Sequence, residues 1–217
     1  MDPPPERAVF KILMFLVIFV RPHYFILAVG NTTVIDIIKD GGHLVSSNKN
    51  FVLGFFSFHN STTRRYVGIW YNKIPELTPV WIANRDQPLN DTSGTLALDG
   101  HGNVVVYSPA QRISIWSTNA SIPASNDVSV ELWDTGNLAV VQRESRRVIW
   151  QSFDYPTHTM LPYMKLGLNR RTGFSWSLTS WKAEDDPGTG NFSCRMDTTG
   201  YPQLVLYEGD VPWWRVG

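Results

Sequence analysis

A unit of about 34 residues is repeated along the chain, and this repeat constrains the fold more than any other feature of the sequence. Residues 94–119 align with residues 128–153: in each segment an Asn follows a Gly and precedes an apolar run, and a Trp follows that Asn after thirteen residues. A looser copy precedes them. The repeated residues are Asn50, Asn103 and Asn137, together with Trp81, Trp116 and Trp150. Such a period is typical of proteins built from repeated structural units.

The repeated unit has the pattern of β-strands. Short apolar runs at 95–98, 104–107 and 128–132 are β-branched or alternate with polar residues, and Asp-Gly and Gly-Asn pairs mark turns between them. One four-stranded sheet cannot bury its inner face alone, so we expect three sheets to close around a common axis. The sequence therefore predicts an all-β, three-sided β-prism. Its core is predicted to contain Trp81, Trp116 and Trp150.

The composition excludes several classes of protein. The 217 residues include 19 basic and 19 acidic side chains, and a net charge of zero gives no basic surface for nucleic acid. Nine Trp, eight Tyr and eleven Phe exclude a disordered chain. The single cysteine, Cys194, excludes an internal disulfide framework and a multi-cysteine metal site. We predict no metal and no cofactor.

The amino-terminal 30 residues have the pattern of a secretory signal peptide. Residues 12–20 are uniformly apolar and follow Arg7 and Lys11. Ala28 and Gly30 are small residues in the relation that signal peptidase accepts, which predicts cleavage before Asn31. The alternative is a retained signal anchor over residues 12–29.

Five Asn-x-Ser/Thr tripeptides indicate the same compartment. They predict N-glycosylation of an extracellular chain at Asn31, Asn60, Asn90, Asn119 and Asn191.

Several ordered motifs carry a resemblance to a known family. They read NFVLGFF, YVGIWYNK, VWIANRDQPL, DTGNLAVV and VIWQSFDYPTHTMLP. The chain resembles the extracellular region of plant G-type lectin S-receptor-like kinases, which begins with a bulb-type lectin domain. Residues 180–210 resemble the start of the S-locus glycoprotein domain. The resemblance implies a leader at 1–30, a bulb-type lectin domain at 31–153, and a linker with a truncated, β-rich S-locus glycoprotein domain at 154–217.

The resemblance also implies candidate sugar-binding residues. The mannose signature of bulb-type lectins is Gln-x-Asp-x-Asn-x-Val-x-Tyr, and its odd spacing places the polar side chains on one face of a strand. The matching or substituting residues here are Asp99, Asn103, Val105 and Tyr107 in the second copy, Asn137 in the third and Asn50 in the first. The signature's Asp is lost from all three copies, which predicts weak or lost mannose binding. A purely turn-forming role for these residues remains the alternative.

No catalytic pattern accompanies these motifs. The five histidines are not paired as in a zinc-protease helix, and GxSxG, P-loop and GxGxxG sequences are absent. We expect a non-catalytic recognition module, secreted or on the extracellular side of the plasma membrane, that binds a glycan or a protein ligand in cell-surface signalling or a process like pollen recognition. Another receptor ectodomain is a possible partner. Membrane attachment would come from a downstream segment or a retained anchor.

Two alternatives concern the whole protein. The resemblance implies that a longer parent would be a transmembrane serine/threonine protein kinase. The other alternative is a secreted decoy without sugar binding. Cys194 would pair with a later cysteine or stay unpaired.

Overall fold

The computed structural model describes residues 37–58, 63–120 and 127–216. The predicted signal peptide and the predicted glycosylation sites Asn31 and Asn60 lie outside the described residues. Within them the chain forms seventeen β-strands and one 3-10 turn, Ser152–Asp154. The strands are β1 Ile37–Lys39, β2 His43–Val45, β3 Phe51–Phe56, β4 Tyr66–Tyr71, β5 Pro79–Ile82, β6 Thr95–Leu98, β7 Val104–Ser108, β8 Ile113–Ser117, β9 Val128–Leu132, β10 Leu138–Gln142, β11 Val148–Gln151, β12 Gly167–Leu168, β13 Ser175–Trp176, β14 Leu178–Ala183, β15 Asp186–Asp197, β16 Gln203–Glu208 and β17 Val211–Val216.

Three antiparallel sheets form the prism. The first sheet has the strand order β2-β3-β4-β5, the second has β1-β6-β7-β8, and the third has β11-β10-β9. The pairing of β1 with β6 is not local in sequence: Ile38 lies opposite Leu96. A fourth sheet, β14-β15-β16-β17, and a short β12-β13 pair follow the prism.

The alternation of side chains along the strands places one face of each sheet in a common core. On β7, Val104 and Val106 are buried at 1% and 0% exposure, whereas Tyr107 is 38% exposed. Side chains two apart on a strand share a face, so this alternation assigns an inner and an outer face to the second sheet. The inner faces of all three sheets contribute to one buried apolar cluster.

The three repeated tryptophans meet at the centre of that cluster. The ring centroids of Trp81 and Trp116 are 5.6 Å apart, those of Trp81 and Trp150 6.0 Å, and those of Trp116 and Trp150 5.8 Å. All three pairs meet edge to face, an arrangement favoured by the ring quadrupoles. The Trp81 indole N–H donates to the Tyr155 carbonyl at 2.9 Å, so its polar atom is satisfied. The predicted all-β, three-sided β-prism is confirmed.

A polar contact closes each sheet in the same way. A side chain that follows each tryptophan accepts a hydrogen bond from a backbone N–H at the start of the middle strand. The bonds run from Val67 N to Asn84 Oδ1 at 2.7 Å, from Val104 N to Thr118 Oγ1 at 3.2 Å and from Leu138 N to Ser152 Oγ at 3.0 Å. A buried backbone donor left without such an acceptor would cost about 1–3 kcal/mol.

The fourth sheet is attached to the prism through a buried arginine. The Arg85 side chain, 8% exposed, donates to the carbonyl oxygens of Pro187 and Ser180, both at 2.8 Å. Next to it, Asp86 accepts from the Thr189 backbone N–H at 2.6 Å. Cys194 lies in the core of the fourth sheet, where its buried thiol is free.

Candidate functional site

Strand pairing identifies equivalent positions in the three sheets. Trp81 lies opposite Ile69 on β4, Trp116 opposite Val106 on β7, and Trp150 opposite Val140 on β10. These middle strands are therefore equivalent. The outer face of each sheet is the side that points away from the tryptophans. The predicted sugar-contact residues of the second copy lie on the outer face of β7 or in the turn that precedes it.

The outer face of the first sheet is covered by aromatic side chains. Phe56, Tyr66 and Ile82 form a buried cluster on it, and Trp70 and Trp181 pack against that cluster. Trp181 belongs to β14, and its ring centroid lies 5.0 Å from that of Phe58. The strand that carries Arg85's carbonyl partners therefore also covers this face.

The outer face of the third sheet is filled by an ion pair. Glu131 on β9 is 0% exposed, and the Arg146 guanidinium holds its two carboxylate oxygens at 2.7 and 3.0 Å. The Trp133 indole N–H and the Ser129 hydroxyl also donate to this carboxylate, each at 3.0 Å. Ala139, on the same face, is 0% exposed.

The hydrogen bonds decide the protonation of Glu131. Burial of the carboxylate acts to raise its pKa, but the hydrogen bonds from its three partners outweigh that effect. The pKa of Glu131 therefore lies below its ordinary value of 4.5, and the carboxylate is charged at neutral pH.

The outer face of the second sheet is open. Its side chains form two rows across the strands, because residues directly opposite each other share a face. One row is Ile37, Ala97, Val105 and Ser117; the other is Lys39, Thr95, Tyr107 and Ser114. Ile37 is 63% exposed and Tyr107 is 38% exposed. Of the three prism faces in the described residues, this one presents side chains that a ligand can reach.

The predicted contact residues of the second copy differ in how many of their polar atoms are engaged. Asp99 Oδ1 accepts from the backbone N–H groups of His101 and Asn103, at 2.8 and 2.9 Å. Asn103 Oδ1 accepts from Thr118 Oγ1 at 2.9 Å and Ala120 N at 2.7 Å. Both oxygens thus hold the turns. Asp99 Oδ2, Asn103 Nδ2 and the Tyr107 hydroxyl make no hydrogen bond within the described part of the chain.

Asn137 is engaged at both ends of its amide. Its Oδ1 accepts from Ser152 Oγ at 3.1 Å and Phe153 N at 3.2 Å, while Nδ2 donates to Gln151 Oε1 at 2.9 Å. The residue is 3% exposed. The third copy therefore offers no amide group that a ligand can reach without rearrangement, and the sugar-contact role of Asn137 stays a prediction.

Asn50 is placed differently from the other two repeated asparagines. It precedes β3, whereas Asn103 precedes β7 and Asn137 precedes β10. The residue at the equivalent place in the first sheet is the buried Tyr66, three positions before the partner of Trp81. Asn50 Oδ1 instead accepts from Lys73 Nζ at 2.9 Å. Its sugar-contact role also stays a prediction.

The sequence motifs did not indicate the side chains that surround the predicted contacts. Ile37 and Lys39 reach the second face because β1 pairs with β6, and Thr95 and Ala97 lie next to β7. The alternation at 95–98 could have found Thr95 and Ala97, since both share a parity with the exposed turn. The pairing of β1 has no local sequence signal.

The predicted glycosylation sites that are described all lie on the surface. Asn90, Asn119 and Asn191 are exposed. Among the described residues there is no group of three or more His, Cys, Asp or Glu side chains that could hold a metal ion. None of the helices in the described segments has the length and apolarity needed to cross a bilayer.

The fold and its repeated, sugar-site-like turns define a protein of the bulb-type lectin class. The family model described as D-mannose binding lectin matches residues 78–182. A G-type lectin S-receptor-like serine/threonine-protein kinase of Arabidopsis thaliana is 44% identical over 207 residues, which is 94% of this chain and 25% of the relative. An S-locus-specific glycoprotein of Brassica oleracea is 40% identical over 214 residues, which is 96% of this chain and 48% of the relative. The chain therefore belongs to the family of G-type lectin S-receptor-like kinases and S-locus glycoproteins.

The chain covers only part of these relatives. It spans about a quarter of the kinase and about half of the glycoprotein. The domain that the family model identifies is a lectin domain and not a kinase domain. Among solved structures, a Japanese Marasmius oreades lectin matches with a TM-score of 0.41 and 16% identity, over 58% of this chain and 92% of that one. A monomeric monocot mannose-binding lectin from Gastrodia elata matches with a TM-score of 0.40 and 17% identity, over 54% and 90%.

Proposed function

We propose that the outer face of the second sheet binds a saccharide. One observation carries this proposal: the equivalent faces of the first and third sheets are filled by the protein's own side chains, whereas this face is open. It also presents three polar groups without a protein partner in the described residues, namely Asp99 Oδ2, Asn103 Nδ2 and the Tyr107 hydroxyl.

These groups suit the chemistry of a sugar ring. Neighbouring hydroxyl groups need both donors and acceptors, which a carboxylate, an amide nitrogen and a phenol supply together. Val105 adds apolar surface between them, and small-molecule sites combine such surface with a few placed polar groups. The signature's Asp is missing, and a hydrogen bond to a charged group contributes about 1.5–3 kcal/mol. We expect mannose binding to be about 10- to 100-fold weaker than at an intact signature.

The test is calorimetric titration of the protein with mannotriose and with a branched oligomannose. We expect measurable binding, lost in Asn103→Asp and weakened in Tyr107→Phe. Asn103→Asp keeps the Oδ1 that accepts from Thr118 and Ala120 but replaces the Nδ2 donor with an acceptor, so the turn survives while the ligand bond does not. Because Asn119 lies close to this turn, the protein should carry Asn119→Gln so that a glycan there does not cover the face.

A matched control lies in the fourth sheet region. Tyr201 is 88% exposed, so Tyr201→Phe removes a surface phenol far from the proposed contacts and should leave binding unchanged. Saccharide binding that survives Asn103→Asp and Tyr107→Phe unchanged would move the site away from this face. A folded protein that binds no saccharide would contradict the proposal.

A protein ligand is the second candidate for the same face. It is favoured by Ile37, an aliphatic side chain that is 63% exposed and adjoins Ala97 and Val105 in one row. An isolated exposed apolar patch of this kind is common at protein contacts. Pull-down of a receptor ectodomain that depends on Ile37 and not on Asn103 would support this candidate.

We further propose that this chain forms the ligand-contacting, extracellular part of a receptor-like protein that acts in cell-surface signalling, and that any kinase activity belongs to the whole protein. The family membership and the exposure of Asn90, Asn119 and Asn191 support this location. Mass spectrometry of the protein from a plant secretory host, before and after enzymatic deglycosylation, should find glycans at these asparagines and a new amino terminus near residue 31. Intracellular, unglycosylated protein would refute it.

A further inference from the structure

The 34-residue repeat relates two arginines in equivalent hairpins. Arg112 lies between β7 and β8 and Arg146 between β10 and β11, and both have a backbone φ of 56°. Each follows its outward-facing strand residue by five positions, Tyr107 in the second sheet and Val141 in the third. The two arginines therefore leave equivalent turns from the same backbone conformation.

In the third sheet, the hairpin arginine receives a carboxylate. Arg146 donates through both terminal nitrogens to Glu131, and the Ser129 hydroxyl donates to the same carboxylate. Glu131 lies opposite Ala139, and Ser129 lies opposite Val141, so the carboxylate sits on the outer face between these strands. This arrangement is a carboxylate receptor filled by the chain's own glutamate.

In the second sheet the same receptor is present without its carboxylate. The position of Glu131 is taken by Ala97, which lies opposite Val105, and the position of Ser129 is taken by Thr95, which lies opposite Tyr107. Arg112 is exposed and, within the described residues, makes no ion pair or hydrogen bond through its side chain. Thr95 retains a hydroxyl group where Ser129 has one.

The charges around this face also favour an anion. Lys39 lies opposite Thr95 at the edge of the same row and is exposed. Neighbouring strands are about 4.8 Å apart, so Lys39 and Tyr107 stand about 10 Å from each other across Thr95. The carboxylate on this side, Asp99, uses one oxygen to hold its own turn. Two cations thus face one partly engaged anion.

We propose that the saccharide bound by the second face carries a carboxylate, as a uronic acid does, and that Arg112 and Thr95 receive that carboxylate where the third sheet holds Glu131. This inference rests on the proposed saccharide function of the face. The planar guanidinium fork matches a carboxylate in two parallel hydrogen bonds, and such charge-assisted bonds are the strong ones. The row of Ile37, Ala97 and Val105 lies beside it and offers apolar contact to the carbon face of the sugar ring.

The test compares an acidic oligosaccharide with its neutral ester. Trigalacturonate, its methyl ester and mannotriose are titrated into the protein at low ionic strength. We expect trigalacturonate to bind about 10-fold or more tightly than the methyl ester, because a charge-assisted hydrogen bond is worth about that factor. We expect the difference to shrink at high salt.

Variants assign the effect to Arg112. Arg112→Gln should bring acid and ester to within about 2- to 3-fold of each other, and Arg112→Lys should restore only part of the difference, since an ammonium lacks the fork. Ala97→Glu puts an internal carboxylate where the third sheet has Glu131, so it should abolish the preference for the acid by occupying Arg112. Ala97→Gln is the neutral control of the same size and should affect acid and ester alike. Arg147→Gln, at an exposed arginine of the third-sheet hairpin, should change nothing.

Each outcome separates the two proposals. Equal affinity for acid, ester and mannotriose, unaffected by Arg112→Gln, would overturn the carboxylate inference and leave the saccharide function standing. No binding of any saccharide by the folded protein would overturn both. Tighter binding of hexaglutamate than of trigalacturonate, dependent on Arg112, would overturn the inference in favour of an acidic protein segment.

Discussion

The ion pair of the third sheet allows a stability prediction in which both magnitude and pH dependence follow from the structure. Arg146→Met keeps most of the aliphatic stem but removes the guanidinium, which leaves the Glu131 carboxylate buried with only the Trp133 and Ser129 donors. Breaking a fully buried pair costs about 3–5 kcal/mol. Because the Arg146 side chain is 56% exposed while that of Glu131 is 1% exposed, solvent screens part of the interaction. We expect the free energy of unfolding at pH 7 to fall by about 2–3 kcal/mol.

The cost should disappear in acid. The folded-state pKa of Glu131 lies below the value of 4.5 expected for an unfolded chain, so the pair's contribution is fully present above that value and is lost as the pH falls through the folded pKa. Without Arg146, burial raises the pKa of the carboxyl group and Glu131 protonates on folding. The difference between wild type and Arg146→Met should therefore be largest near pH 7 and shrink below about pH 4.

Urea unfolding followed by tryptophan fluorescence, at pH 7 and at pH 3.5, measures both quantities. A double-mutant cycle with Glu131→Gln isolates the pair: in that background, Arg146→Met should cost less than about 1 kcal/mol. Arg147→Gln, in the same hairpin, is the control and should stay within about 0.5 kcal/mol of wild type. A cost for Arg146→Met that is the same at both pH values, or unchanged by Glu131→Gln, would refute the electrostatic reasoning.

Three further predictions concern the core. Trp150→Ala should lower the free energy of unfolding by about 3–5 kcal/mol in urea titrations, because a ring 5% exposed loses its packing at the centre of the prism; a loss below 1 kcal/mol would argue against a shared tryptophan core. Gly68→Ala should destabilise strongly, since its Cβ would stand 2.4 Å from the Trp81 carbonyl oxygen, while Gly100→Ala, with no atom within 4 Å, should have a small effect on the melting temperature. Burial raises the pKa of the Cys194 thiol, so a thiol-specific chromogenic reagent should react slowly in native buffer and rapidly in denaturant; equal rates would contradict its burial.

The repeat alone was sufficient to predict the fold. Strand patterning is a local property, and a large side chain that returns at a fixed period in short strands has one inexpensive explanation, a shared core. That argument placed Trp81, Trp116 and Trp150 together without any knowledge of which strands pair. The same argument could not place β1, because the pairing of Ile38 with Leu96 joins segments 58 residues apart and depends on the closure of the whole prism.

The first copy shows where the sequence argument fails. Asn50 was aligned by its neighbours in sequence, NFVLGFF, yet the strand that pairs with the tryptophan strand is β4 and not β3. The hairpin of the first sheet is longer than those of the other two, so counting residues from the asparagine reaches a different strand. The register that decides the site, Tyr66 in place of Asn103 and Asn137, is visible only once the strands are paired.

Which prism face remains open depends on single side chains that the repeat does not constrain. The scaffold positions are equivalent, but position 97 and its counterpart, 131, are Ala and Glu, and this difference alone decides whether a hairpin arginine is engaged internally. The face of the first sheet is covered by Trp181, which comes from a sheet outside the repeat. Outer-face positions bear little on the core, so the prism tolerates their divergence at low cost in stability, whereas each substitution changes what a face can bind. The structural demands of the fold thus preserve three similar frames and leave their outer surfaces free to take different roles.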